Sequence, residues 1–231
     1  MSAPLDRDPR PPAGRADRGR LPTLGRGRMA ALALLCVLAI STWVVRAAYA
    51  KPYFHFLMWN LFLATIPWVA AWSFARARWR VAQVVSGLAW LLFLPNAPYL
   101  VTDLVHFRTR PPVPWWFDVM LFASFALAGC AFGWASLELV HRRLVRTLGL
   151  LRSSLAIAAA IVLSGFGVYL GRFERWNSWD LVTRPGQVLA DCAEALHSPK
   201  ALVFTALFAA FMGAGYLLFA SRSICAERRA S

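Results

Sequence analysis

The sequence has few acidic residues, few cysteines and almost no lysine. Its 231 residues include 11 Asp and Glu against 25 Lys and Arg, and only two of those 25 are lysines. The cysteines, which are Cys36, Cys130, Cys192 and Cys225, have neither the Cys-x-x-Cys spacing of a redox motif nor the spacing of metal ligands. We therefore expect four small apolar side chains and no cysteine-based metal or redox motif.

Motifs that identify large classes of enzymes and transporters are also missing. The sequence contains no phosphate-binding loop, no Gly-x-Ser-x-Gly turn, no His-Glu-x-x-His pair and no dinucleotide-binding glycine pattern. It has no arginine ladder of the voltage-sensor type and no obvious inverted repeat of a transporter. These absences exclude the protein classes that depend on those motifs, and they leave the cofactor, if one is used, unknown.

Hydrophobic residues are the class that the sequence has in excess. They make up 59% of the chain, whereas a soluble domain has about 45–50%. They form runs whose lengths are close to the roughly 20 residues that a helix needs to cross a bilayer. The sequence predicts an all-α, polytopic transmembrane bundle of six spans at residues 29–220, with a disordered basic tail at 1–28 and a short tail at 221–231. The six runs are about 29–45, 53–74, 81–95, 116–140, 153–170 and 201–220.

The first run has a second interpretation. Ala48-Tyr49-Ala50 has the small-x-small form of a signal-peptide cleavage site. The length of this run and of the basic segment before it favours a retained span, but a cleaved signal sequence stays open. The later spans are predicted in the same way under either interpretation.

The basic residues predict an orientation. If the N-terminus is inside, the inner segments carry 17 Lys and Arg and the outer segments carry eight. Cytoplasmic segments of membrane proteins are enriched in these residues, so both termini are expected in the cytoplasm. The formal charge of +14 therefore reflects topology, and we expect no nucleic-acid partner. The expected partner is the lipid bilayer, with contact between the basic tail and anionic lipid; protein partners are unknown.

One polar segment interrupts the third run. Between residues 94 and 106 the chain carries Pro95, Asn96, Pro98, Asp103 and His106. Hydrocarbon penalises unpaired backbone groups and buried ionisable side chains, so such a segment must line a cavity or pair with other groups. It either forms a site or bends the chain into the headgroup layer, and the sequence leaves both alternatives open.

The predicted topology brings other polar residues to the same outer side of the membrane. Asp103 and His106 lie three positions apart and are the catalytic candidates, as a base, or weak candidates for metal ligands. A solvated Asp–His pair is the alternative. Arg172 could hold an anion or form an ion pair with Asp103 or Asp118. The remaining members of this expected substrate-binding or structural cluster are Asn60, Asn96, Tyr99, Thr102, Asp118, Tyr169, Arg175, Asn177 and Asp180.

Three further patterns concern packing. Gly129/Gly133 and Gly167/Gly171 allow close approach of helices. A short helix beginning near Pro185 is expected on the outer surface, with one face formed by Val188, Leu189, Cys192 and Leu196. Glu138 and His141 are expected at the inner side of the membrane, paired with Arg142 or Arg143.

Three motifs carry a resemblance to a known family. They are Trp59-Asn60-Leu61 with Pro67, Leu94-Pro95-Asn96-Ala97-Pro98-Tyr99 with Thr102-Asp103 and His106, and Tyr169-Leu170-Gly171-Arg172 with Arg175-Trp176-Asn177-Ser178-Trp179-Asp180. At these residues the chain resembles a bacterial family known only as domain of unknown function 1361, and the resemblance covers about residues 50–220. It implies a location in the bacterial inner membrane, and it supplies no activity, substrate or catalytic residue.

Three classes of function remain for such a protein. A non-catalytic component of the cell envelope is favoured. An enzyme acting on a lipid or lipid-linked substrate would use Asp103 and His106 for chemistry and Arg172 and Arg175 for an anion. A transporter or channel would line its path with Asn60, Asn96 and Asp103, but the first and sixth spans offer almost no polar residues for one.

Overall fold

The computed structural model describes residues 24–50, 53–108 and 111–230. These residues are almost entirely helical, and no strand occurs among them. A 3₁₀ turn at Asp103–His106 follows α4, and a wider π turn at Leu170–Glu174 follows α6. The α-helices are α1 (Arg26–Tyr49), α2 (His55–Arg76), α3 (Arg80–Phe93), α4 (Asn96–Thr102), α5 (Trp115–Leu148), α6 (Leu150–Tyr169), α7 (Asp180–Thr183), α8 (Pro185–Ala195) and α9 (Pro199–Ala230).

Within the described part of the chain, six helical segments are long and apolar enough to cross a membrane. This confirms the all-α bundle of six spans. Part of the basic tail predicted at 1–28 lies outside the described residues, and α1 begins within it, at Arg26. The last helix runs through the short tail predicted after residue 220 and ends at Ala230. The spans are Arg26–Tyr49, His55–Arg76, Arg80–His106, Trp115–Leu148, Leu150–Glu174 and Pro199–Phe219.

Helix α5 forms the centre of the bundle. It packs against α1, α2, α4, α6 and α9. Its apolar stretch is 67% buried within the protein, against 11% for that of α1. Phe122, Phe125 and Leu137 are among its fully buried side chains. The outer helices therefore present their apolar faces to lipid, while α5 supplies most of the protein interior.

The turn between α5 and α6 consists of one glycine. Gly149 has φ of +77°, a backbone conformation that other residues adopt only with strain. Its N–H donates to the Val145 carbonyl at 3.0 Å, and its carbonyl accepts the Ser153 hydroxyl at 2.8 Å. This single residue ends one helix, begins the next and makes the two spans antiparallel neighbours.

The short helix α4 lies inside the bundle against the glycines of α5. A Cβ atom at Gly129 would lie 2.6 Å from the Ala97 carbonyl oxygen, and one at Gly133 would lie 3.0 Å from the Ala97 Cβ. Only glycine leaves room for this backbone approach. The Gly129/Gly133 pair, for which the sequence predicted close helix contact, receives the broken third span.

The glycines of the fifth span contact the same segment from the other side. A Cβ at Gly167 would lie 2.4 Å from the Pro95 Cγ, and one at Gly171 would lie 3.1 Å from the Tyr99 ring. Pro95 therefore packs where α6 has no side chain. The two glycine pairs hold the interrupted segment between α5 and the end of the fifth span.

A second polar cluster lies near the other end of α5. The Glu138 carboxylate is fully buried and forms ion pairs with Arg28 of α1 and Arg142 of α5. The expected partner Arg142 is present, and Arg28 joins it. His141 contacts the Tyr216 hydroxyl at 2.7 Å, because Tyr216 of α9 packs beside it. This cluster joins α1, α5 and α9 at that end of the bundle.

Candidate functional site

The interruption of the third span is a bend between two helices. α3 ends at Phe93 and α4 begins at Asn96, while Pro95 between them keeps helical backbone angles. The Asn96 amide donates to the Phe93 carbonyl at 3.0 Å and to the Ser178 hydroxyl at 2.9 Å. Pro98 lies in the first turn of α4, where its missing N–H leaves no bond unmade. The two prolines thus bend the span without exposing its backbone.

Asp103 is the point where three spans are joined. The residue is 1% exposed. One carboxylate oxygen accepts a bond from Arg172 Nη2 at 2.6 Å, and the other accepts a bond from the Asn60 amide at 2.8 Å. The carboxylate of the third span is therefore bound by the second and the fifth.

Arg172 makes most of its possible hydrogen bonds within this cluster. Its Nε donates to the Thr102 hydroxyl at 2.8 Å, and its Nη1 lies 3.0 Å from His106 Nε2. The guanidinium carbon also lies 4.5 Å from the centre of the Tyr99 ring, which suits a cation–π contact. A guanidinium only donates, so His106 accepts through Nε2 and carries its proton on Nδ1.

These contacts define the chemistry of the Asp103–His106 pair. Both Asp103 oxygens are engaged, and the His106 lone pair faces a cation. A metal ion beside the Arg172 guanidinium would be repelled. Among the described residues, no three His, Cys, Asp or Glu side chains come together as metal ligands. The arrangement orients Arg172.

The fifth span ends in a turn that separates its two arginines. The Arg175 backbone N–H donates to the Leu170 carbonyl and closes the π turn, and the Trp176 N–H donates to the same carbonyl at 3.3 Å. Arg175 follows that turn with φ of +61°, in the left-handed region that non-glycine residues seldom occupy. Its side chain is exposed, whereas Arg172 is largely buried.

A cavity of about 890 Å³ lies beside this cluster. Its walls within the spans are apolar and come from α2, α3 and α6, including Leu63, Leu88, Leu92, Leu163 and Phe166. Its other end carries polar side chains, together with apolar residues of the following loop and of α8 such as Trp176 and Val188. That end is lined by Asn60, Asn96, Tyr99, His106, Arg172, Arg175, Asn177 and Ser178.

Asp118 does not belong to the cluster, and its expected place there is wrong. Its carboxylate forms a buried ion pair with Arg46 Nε of α1 at 2.7 Å. Arg46 lies at the end of α1, beside the start of α5, and therefore meets Asp118 first. Sequence reasoning counted Arg46 only as a topology signal. An arginine in the last turn of one span, facing an acid in the first turn of another, was the signal for this pair.

Tyr169 also lies elsewhere. It packs in an apolar group with Ala195 and Ala201, and its ring centre is 4.9 Å from that of Phe173. It joins the end of α6 to α8 and α9 and does not line the cavity. The side of α6 that faces these helices is opposite to the side that carries Gly167.

Asn177 and Asp180 bind each other within the loop that follows the fifth span. The Asn177 backbone N–H donates to Asp180 Oδ2 at 2.8 Å, and this bond lowers the pKa of the Asp180 carboxyl. The Asn177 amide donates to the same oxygen at 3.1 Å. Asp180 therefore shapes the loop, while Asn177 lines the cavity.

The short helix expected after this loop is α8, with Pro185 in its first turn. The expected common face is divided. Val188 and Cys192 line the cavity, whereas Leu189 and Leu196 are exposed. Burial raises the pKa of the Cys192 thiol, and the neighbouring Asp191 raises it further. The Trp176 indole donates to Asp191 at 2.8 Å and ties α8 to the loop.

Sequence reasoning missed the apolar walls and Ser178. Leu88 and Leu163 resemble any lipid-facing leucine of a span, and no pattern distinguishes them. Ser178 stands within the Trp176–Asp180 motif, and only its contact with Asn96 shows its position.

A family model described as "Protein of unknown function (DUF1361)" matches residues 59–214. The matched range contains Asn60, Asp103 and Arg172 but none of α1. No curated protein and no solved structure matches the chain.

Proposed function

We propose that this chain, which belongs to the DUF1361 family of unknown function, is a multi-pass membrane protein that binds an amphiphilic molecule. The molecule enters the cavity laterally from the bilayer. The observation that carries the proposal is the division of the cavity into apolar walls and a polar end. Ligand sites of this kind commonly bury the apolar part of a ligand and orient it by a few polar groups.

The position of the apolar walls supports entry from the lipid. Leu88 and Leu163 line the cavity and are also exposed on the outer surface of the bundle. They lie within the apolar spans, so their exposed side faces hydrocarbon. An acyl chain could pass between α3 and α6 without crossing water, while its headgroup stays at the polar end.

The contacts of Asp103 and His106 favour binding over a reaction. Asp103 is buried and holds Arg172 in place, and His106 Nε2 accepts from the same arginine. A base needs a free lone pair directed at the substrate. The far end of the bundle is filled by the Glu138 cluster, which favours a binding protein over a transporter.

The location that we propose is the bacterial inner membrane. Both termini are cytoplasmic, and the polar end of the cavity faces the extracytoplasmic side. The excess of arginine in the segments assigned to the inside supports this orientation. The protein then acts as a non-catalytic component of the cell envelope.

Photo-crosslinking tests the binding function. The purified full-length protein in detergent is incubated with a phospholipid that carries a diazirine in one acyl chain, and crosslinked peptides are identified by mass spectrometry. We expect labels on α3 near Leu88 and on α6 near Leu163. Leu163→Trp fills the cavity and is expected to remove most of this labelling.

The matched control is Leu155→Trp on the same helix. Leu155 is 63% exposed and Leu163 is 51% exposed, but only Leu163 lines the cavity. The control variant should keep the labelling pattern of the unmodified protein. Uniform labelling of all lipid-facing helices that Leu163→Trp does not change would overturn the proposal.

A further inference from the structure

We infer that the amphiphile carries a phosphate headgroup and that Arg175 is its cationic ligand. This inference rests on the proposed function and names the chemical class of its ligand. It begins with the charge of the cavity. Across the part of the chain that the structure describes, no acidic side chain lines the cavity, whereas Arg172, Arg175 and His106 do. A cationic headgroup would find no counter-charge there.

The two arginines contribute differently to that charge. Arg172 is paired with Asp103 at 2.6 Å, so the pair carries no net charge. No hydrogen bond or ion pair joins the Arg175 guanidinium to another described residue. Arg175 therefore provides the uncompensated positive charge at the polar end. A free guanidinium binds phosphate oxygens through two parallel N–H bonds.

The backbone at Arg175 supports a role in binding. Its φ of +61° costs free energy that a glycine would avoid. Strained backbone positions are concentrated at binding and active sites, where the strain places a side chain. The left-handed residue follows directly on the π turn, and it is this turn that allows Arg172 to bind Asp103 while Arg175 remains at the cavity.

Other donors complete the headgroup site. Ser178 accepts a bond from Asn96, which leaves its own hydroxyl hydrogen available. His106 carries a hydrogen on Nδ1, because Nε2 accepts from Arg172. Both residues line the cavity. A phosphate offers several acceptor oxygens to such donors, so an ester phosphate on a lipid fits both the polar end and the apolar walls.

Native mass spectrometry of the full-length protein in detergent tests the inference. The probes are dioleoyl phosphatidic acid, dioleoylglycerol with the same chains but no phosphate, and inorganic phosphate. We expect phosphatidic acid to bind about tenfold more tightly than dioleoylglycerol, which corresponds to one charge-assisted contact. Arg175→Gln should remove this preference, so that the two lipids bind about equally.

Arg108→Gln is the matched control. Arg108 is also exposed and follows the His106 end of the third span, but it does not line the cavity. The same loss of one charge there should leave both affinities unchanged. An equal effect of the two substitutions would overturn a specific role of Arg175.

The outcomes separate this inference from the proposed function. If Leu163→Trp abolishes the binding of both lipids but Arg175→Gln has no effect, the headgroup inference fails and amphiphile binding stands. If Leu163→Trp changes neither affinity, the proposed function fails. If inorganic phosphate binds as tightly as phosphatidic acid, the ligand is the free ion, and the inference of a lipid headgroup is overturned.

Discussion

Arg172 and Arg175 are the same residue type three positions apart, and their surroundings separate them. Arg172 binds Asp103, Thr102 and His106 and joins the third and fifth spans. Arg175 is exposed at the cavity. The first is a structural cation, and the second is available to a ligand.

A comparison of two identical substitutions tests this division. Arg172→Gln leaves Asp103 buried and without its cation, so we expect the free energy of unfolding to fall by about 3–5 kcal/mol. Arg175→Gln removes no hydrogen bond or ion pair with another described residue and should change this free energy by less than about 0.5 kcal/mol. Equilibrium unfolding of the purified protein in mixed micelles provides the measurement.

The double variant Asp103→Asn/Arg172→Gln provides a check on the pair itself. If the ion pair is the cause, the double variant should be less destabilised than the sum of the single variants. Equal destabilisation by Arg172→Gln and Arg175→Gln would contradict the separate roles of the two arginines.

At the scale of elements, the interrupted third span depends on its glycine contacts. Gly129 and Gly133 of α5 receive Ala97, and Gly167 of α6 receives Pro95. The sequence predicts both the interruption and the small residues. It does not predict that they meet, because a glycine pair in a span fits any closely approaching partner.

Gly167→Ala tests this contact. The added Cβ would lie 2.4 Å from the Pro95 Cγ, so α6 and the bend must move apart. Overpacking of this kind costs about 1–3 kcal/mol, and we expect the melting temperature in detergent to fall.

Gly213→Ala on α9 is the corresponding control. No atom of the described residues lies within 4 Å of a Cβ at Gly213. Replacement of a helical glycine by alanine at an open position stabilises the folded protein by about 0.5–1 kcal/mol, so the melting temperature should remain unchanged or rise. A stable Gly167→Ala variant would show that the bend is not held by this contact.

At the scale of the whole molecule, the orientation that we propose places the cavity at the extracytoplasmic end. Single cysteines at Arg78 and Arg184, in a background without the native cysteines, test it with a membrane-impermeant maleimide. Both positions are exposed. We expect Arg184→Cys to react in intact spheroplasts and Arg78→Cys only after permeabilisation.

The reverse labelling pattern would show that the bundle has the opposite orientation, with the cavity on the cytoplasmic side. Reaction of both positions in intact spheroplasts would contradict the assignment of the connection between α2 and α3 to the inside. Neither result depends on the identity of the ligand.

The sequence by itself determined the six spans, because an apolar run of membrane length satisfies its backbone hydrogen bonds in hydrocarbon by forming an α-helix. It also identified Asn60, Asp103 and Arg172, since polar residues at the ends of spans require partners. Only the tertiary structure decided which residues these polar side chains bind. Asp118 meets Arg46 and Tyr169 meets an apolar group because each helix turns one face to each neighbour, and that rotation is set by packing around α5. The cavity, too, is visible only in the tertiary structure. In the sequence its wall residues cannot be distinguished from other lipid-facing leucines, and only the arrangement of α3 and α6 around the cavity shows their role.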